Sequence, residues 1–395
     1  MAWLRVSIAV LAGWFAGCGA DPGKVALGER DRWPARAPLP VVGADGWMVV
    51  TDGNSDTLSF VDVAKGVRAL AAPVGLSPVE PEGPHHLVVS PDRRRIYVNL
   101  SGYVTGSASG PHGAHGAGTA PGHLIALDAH DLSLVGQVEV RANPGDLAVS
   151  RDGQTVYVSH YNLAEVVSAL NHGTPAAELE SFVARIHTAD FSVDWIRVGP
   201  GGHGLLLSED EQTLFVACAL ADELAVVDLG AEPPAVRRVR VSPTAGGPGN
   251  PSYEPYAVAR APDGLVWISN VSSSGHSLSV YDPQAGAILV ERAVFLQSAP
   301  QQGVFVGGTL VVPAWSPDVL LFVEAASGRR ENVPLPTDCL SPHVFTTASG
   351  RGFVVCEGNR REPGALLPVD LATHAFGAPI ALGVYPNGAA WLPAP

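Results

Sequence analysis

Apolar and polar residues alternate in short runs along most of the chain, and the runs come in pairs. At residues 84–102 the sequence PHHLVVSPDRRRIYVNLSG places two β-forming runs, LVVS and RIYVN, on either side of a polar turn. Some sixty residues later PGDLAVSRDGQTVYVSHYN repeats the arrangement. Further second strands read TLFVA, LVWIS, TLVVP and GFVVC, and WMVVTDG near the N-terminus supplies a seventh. Most are followed by a third strand that ends in an acid, at Asp62, Asp128, Asp228, Asp282, Glu324 and Asp370. In the third unit the matching run, EVVSAL, lacks the acid. First strands begin at Pro84, Pro144, Gly202, Pro255, Pro300, Pro342 and Pro386, on average about 50 residues apart. A period of that length with four short strands per unit predicts propeller blades.

The two ends of the chain fix the count. The last first strand, PNGAAWLPAP, has no second strand after it, while WMVVTDG and LSFVD have no first strand before them. Together they complete one blade, so the fold class is all-β, a seven-bladed propeller of four-stranded blades whose ring closes when the C-terminal strand joins the N-terminal ones. Closure hides sheet edges that would otherwise invite aggregation. The propeller spans residues 44–395. Plentiful Gly (44) and Pro (34), with few charged residues (16%), agree with an all-β chain. A net charge of −14 gives no electrostatic basis for binding nucleic acid.

Residues 1–17 read as an export signal. Arg5 precedes an apolar run too short to remain as a membrane span, and Phe15-Ala16-Gly17-Cys18 resembles the bacterial lipobox. Cleavage before Cys18 and acylation there would leave a lipoprotein held in the cell envelope, at the outer membrane or on the periplasmic side of the inner one, with 18–43 as linker. Simple cleavage near Gly17, with Cys18 a chance cysteine, is the alternative. Cys339 precedes the first strand of blade seven and Cys356 ends its second, so a disulfide between them is possible; Cys218 reads as a buried thiol. No C-x-x-C or C-x-x-C-H run occurs.

The pattern V-S-P-D-[RG]-x-x-[VI]-Y-V, followed by the acid-ended third strand, resembles the YVTN-repeat β-propeller family over nearly all of the chain from about residue 44. That family includes cell-surface and periplasmic proteins, and its fold is similar to quinoprotein amine dehydrogenase subunits and seven-bladed lactonases. The resemblance implies a scaffold, and activity does not follow from it.

Departures from the repeat are the candidates for function. Blade two carries a Gly-rich insertion with His112, His115 and His123, and blade four leads into five through SPTAGGPGNPSYEP; both should lie on the face where first strands begin. Blade three has an insertion in which Thr174-Pro175 predicts a helix over 176–186, with Leu179, Phe182, Val183 and Ile186 buried, on the opposite face. The residues after each first-strand Pro or Gly should ring the channel mouth: His85, Gly145, His203, Tyr256, Gln301, His343 and Asn387. His85, His203 and His343 could bind zinc or copper, or simply bond backbone and water. His86, His160 and Glu357 should lie near the same face, as should the aromatics Tyr161, Tyr253 and Trp315, which could anchor a partner or pack in the core.

No catalytic signature is present: no G-x-S-x-G, no H-E-x-x-H, no Gly-rich phosphate loop. No catalytic residue is therefore assigned. The leading expectation is a monomeric, lipid-anchored binding or scaffold module that presents its loop-rich face to a protein or cell-envelope partner. The alternative is a channel-mouth enzyme, a lactonase-like hydrolase with a ring histidine as general base, or a redox accessory subunit.

Overall fold

The computed structural model describes residues 38–77, 79, 81–102, 120–272 and 275–394. The signal segment, Cys18, His112 and His115 lie outside the described residues. Seven antiparallel sheets form the ring. The first consists of Trp47–Asp52, Thr57–Asp62 and Val67–Pro73, with Pro386–Leu392 as its innermost strand. Val49 pairs with Ala390 and Val50 with Ala389, which is the closure expected from the two half-blades.

Burial explains the strand pattern. Second strands such as Arg95–Leu100 and Thr213–Cys218 are covered on both faces, so they are apolar almost without alternation. Outermost strands such as Leu134–Val140 are mostly exposed and mixed in composition. The gap between each pair of neighbouring blades is filled by apolar side chains. Between blades one and two it contains Trp47, Phe60, Ile96 and Val98, and between blades seven and one Met48, Val50, Phe353 and Val355. The Ser-x-Asp turns also have a local cause. Ser90 Oγ donates to Asp92 (2.6 Å), whose carboxylate accepts from the Arg94 N–H (3.0 Å), while Ser90 Oγ accepts from the Arg95 N–H (2.9 Å). Ser150/Asp152 and Ser208/Asp210 repeat the scheme.

Blade three departs from the sequence expectation. The helix is Leu163–Asn171, the segment assigned there to a third strand. The third strand is Ser181–His187, which takes up the second half of the segment expected to be helical, and only a 3-10 turn, Ala176–Glu178, precedes it. Val183 pairs with Ser159 and His187 with Thr155, so His187 stands where other blades carry the strand-ending acid. The insertion therefore joins second to third strand and lies on the same face as the first-strand starts, not the opposite one. Blade six also differs: its innermost strand breaks after Ala299–Pro300, and Gln302 bonds blade seven instead, donating to the His343 carbonyl (3.1 Å) and accepting from the Phe345 N–H (2.8 Å).

Candidate functional site in the channel

The first strands build the site through a shared irregularity. Each of six is entered through a residue of positive φ: Gly83, Asn143, Gly201, Glu254, Ser341 and Tyr385. The register then slips. Pro84 pairs with Leu100 and Leu87 with Val98, so His85 and His86 together oppose Asn99. Blades three and four slip in the same way. A bulge of this kind re-aims side chains, and here it sends two successive positions toward the axis. Small residues let the strands approach. A Cβ on Gly388 would lie 2.8 Å from His86 Cα, and one on Gly204 2.7 Å from Ala257 Cα. The second-strand residue opposite the bulge holds the next strand in place: Thr51 Oγ1 donates to the His85 carbonyl (2.6 Å), Asn99 to that of Gly145 (2.9 Å) and Ser159 to that of His203.

Histidines from blades two, four and seven converge on the axis. The His85 and His86 ring centroids are 4.4 Å apart, His86 lies 5.7 Å from His203 and 6.0 Å from His343, and His85 lies 6.1 Å from His203. All four are buried. One ligand atom from each of His85, His86 and His203 can be chosen so that all lie within 4.8 Å of one another. His203 stacks on Tyr256 (4.2 Å, 20°), and its Nδ1 donates to the Tyr256 carbonyl (3.2 Å). Below them Asp146, from the second bulge position of blade three, faces His86 Nδ1 at 3.7 Å and accepts from the N–H of Leu147 (2.9 Å) and of Leu205 (3.2 Å). Burial pushes the Asp146 carboxyl up to about 6. Burial, reinforced by nearby His343, pushes His85 down to about 3, so that it is neutral at ordinary pH.

His343 is engaged differently. Its Nδ1 donates to the Glu357 carboxylate, and its Nε2 accepts from the Tyr256 hydroxyl (3.0 Å). Glu357 also accepts from Arg360 (3.2 Å), whose guanidinium lies over the rings of Tyr385 (4.8 Å) and Trp315 (6.0 Å). Burial, with the charges of Glu357 and Asp146 adding, raises the Tyr256 phenol well above its usual range and keeps it protonated. The result is a carboxylate–imidazole–hydroxyl chain, the geometry that in other proteins fixes a histidine tautomer and aims its second nitrogen.

The rest of the ring serves the backbone. Gln301 donates to the Ala299 carbonyl (3.0 Å) and Asn387 to that of Tyr385 (3.1 Å), while Gly145 leaves room beside Ser159 and His203. Trp315 donates to the Pro342 carbonyl (2.6 Å), Tyr253 bonds Ser242 (3.0 Å) and Thr244 (2.7 Å), and Tyr161 is buried. These aromatics are committed within the fold. His123 sits in the strand Gly122–Asp128 opposite Leu100. Cys339 and Cys356 are joined in a disulfide, immediately before Glu357, and Cys218 is buried with a free thiol. Sequence reasoning missed Asp146, Gln302, whose side-chain amide donates to Asp146 (3.5 Å), and Arg360. Asp146 and Gln302 share with His86 the second position after the first-strand proline, which is the signal that could have found them; Arg360 lies in a turn without a motif.

His160 ends its strand on the same face but packs against the outer strands of its own blade, with Nδ1 donating to the Phe182 carbonyl (3.2 Å) and Trp195 5.4 Å away. Burial, helped by nearby Arg141, pushes it from 6.5 down to about 3. The unfolded chain therefore binds the proton that the fold excludes. The stability His160 contributes is present in full above pH 6.5 and is lost as pH falls toward 3, on the order of 5 kcal/mol in all. Denaturant titrations from pH 7 to 4 should show this decline and a flatter profile in His160→Gln. Equal slopes in the two proteins would contradict it.

No protein-family profile matches the chain, and no curated protein is similar to it in sequence. Solved structures are similar in fold. The periplasmic gluconolactonase PpgL of Pseudomonas aeruginosa superposes with a TM-score of 0.60 at 17% identity, over 87% of this chain and 98% of that one. A functionally unknown protein from Desulfotomaculum acetoxidans gives 0.61 at 12%, over 88% and 98%. Hydrazine synthase of Kuenenia stuttgartiensis gives 0.57 at 18%, over 80% and 91%. At these identities the likeness establishes the propeller alone.

Proposed function

We propose that the channel is the active site of a hydrolase that opens a small carbonyl ester or lactone, a substrate class suggested by the gluconolactonase neighbour. The observation that carries the reading is the Glu357–His343–Tyr256 chain beside three further histidines and Asp146, all buried where a scaffold would need only apolar filling. In this reading Glu357 holds the His343 tautomer, and substrate entry turns the Tyr256 hydroxyl, protonated by virtue of its burial, from His343 Nε2 to the carbonyl oxygen. His343 Nε2 is thereby freed to accept a hydrogen bond, and then the proton, from the attacking water. The binding-module reading loses support, because Trp315, Tyr253 and Tyr161 are spent on internal contacts. With the export signal and lipidation at Cys18 read from the sequence, the enzyme would work in the cell envelope.

The test is turnover of a panel of sugar lactones and aryl esters by the full chain, followed by His343→Gln and Glu357→Gln. Wild-type turnover should exceed the buffer rate, and each variant should lose about 10²–10⁴ in kcat while still melting cooperatively. No turnover of any panel member, or variants with unchanged kcat, would sink the proposal.

A further inference from the structure

We infer that His85, His86 and His203 form a binding site for one transition-metal dication of the zinc or copper kind. This rests on the channel being the functional site and adds the cofactor class to it. His86, one position beyond the ring, takes the place of His343 in the set expected from sequence, because His343 is held between Glu357 and Tyr256.

Three features of the chain suit such an ion. The donors are imidazoles, the ligand type that zinc and copper take readily, and their atoms already lie within 4.8 Å of one another. Zinc–nitrogen bonds of about 2.0–2.1 Å put tetrahedral ligands roughly 3.3 Å apart, so modest side-chain rotation closes the set. Each ring is also held from outside. His203 Nδ1 donates to the Tyr256 carbonyl, His86 Nδ1 faces the Asp146 carboxylate at 3.7 Å, and His85 rests against the backbone of Pro144 and Gly145. Outer contacts of this kind orient ligating imidazoles and fix which nitrogen meets the metal. Finally, Asp146 supplies an adjacent carboxylate that offsets part of the dication's charge in a buried place.

The experiment is to titrate the full chain, purified without chelators and then stripped, with Zn²⁺ and separately with Cu²⁺ against a chromophoric competitor, and to measure bound metal by elemental analysis. We expect one equivalent of at least one ion. His86→Ala or His203→Gln should weaken binding by at least about 100-fold, Asp146→Asn by about 10–100-fold, and His343→Gln should leave it near the wild-type value. Circular dichroism checks that each variant is folded. Failure of both ions to bind, or loss on His343→Gln with retention in folded His86→Ala, overturns the assignment. Bound metal without lactone turnover would refute the proposed reaction and leave the site standing. Turnover by a chain that binds neither ion would do the reverse.

Discussion

Replacing Glu357 with alanine should destabilise the protein by about 3–5 kcal/mol at neutral pH. The carboxylate is 1% exposed and serves two partners, His343 Nδ1 and the Arg360 guanidinium. The Arg360 side chain is itself only 9% exposed and lies over Tyr385 and Trp315. Alanine would take the carboxylate partner away from a guanidinium buried among aromatic rings. Breaking a buried pair from one side costs far more than the pair contributes as a whole. A double variant, Glu357→Ala with Arg360→Met, should therefore recover much of the loss, because methionine fills the same space without a charge to desolvate. Denaturant unfolding of wild type, single and double variants decides it. If the double variant is no more stable than the single, the cost comes from lost packing and the charge argument fails. Catalysis should separate from stability in the same set. The double variant regains stability yet stays inactive, since the carboxylate that holds His343 Nδ1–H and offsets charge on the imidazole is gone.

The propeller was legible because its signal is repeated. Seven runs of β-branched and aromatic residues, seven proline or glycine starts and the half-blades at the two ends all point to one answer, and no single strand has to be read correctly on its own. Blade three shows what happens where the repeat is interrupted. The run AAELESFVARI carries good helix formers behind Thr174-Pro175, whereas LAEVVSALN contains two adjacent valines. Local preference reads the first as helix and the second as strand, and the fold does the opposite. Tertiary demand decides, because Thr155–His160 needs a partner of matching length that leads directly into Val193–Val198. The Asp190 turn, which bonds Ser192 as the other strand-ending turns bond their neighbours, marks the true end of that third strand.

The channel residues divide the same way. One ring position per blade could be read by aligning the repeats, and it contained three of the four clustered histidines. Strict alternation would turn the next residue away from the axis, so Asp146 and Gln302 stand out only when that second position is itself aligned across the blades. The bulge that brings both positions inward is a backbone event with no residue signature beyond the left-handed entry, and that entry is glycine in only two of six blades. Whether three imidazoles could reach one point depended on channel radius, which no sequence pattern carries.

Deleting the chain from Pro386 onward should abolish cooperative folding altogether. That strand is the innermost of blade one, paired along Trp47–Asp52 by the Val49–Ala390 and Val50–Ala389 partners. Without it, Trp47–Asp52 becomes an open edge facing the channel, with unpaired backbone groups that recruit other chains. The apolar clusters on both sides of blade one, around Phe60 and Ile96 and around Met48 and Val355, lose their inner wall. The histidine cluster loses a support as well. Thr51 Oγ1 accepts from the Gly388 N–H (2.8 Å) while donating to the His85 carbonyl, so one hydroxyl ties the closing strand to the site. Seven blades each share their apolar surface with two neighbours, and an open ring leaves two such surfaces exposed, more than an isolated edge variant would. Trp391→Ala is the contrasting case: that side chain is 37% exposed and gives up its bond to the Asp45 carbonyl, a loss of about 1 kcal/mol. Size-exclusion chromatography and thermal melts compare the two. The deletion should elute as aggregate with no cooperative transition, while Trp391→Ala melts close to wild type. A monomeric deletion variant with a normal melt would mean that blade one is held by blades two and seven alone, and that closure of the ring through the C-terminal strand is dispensable.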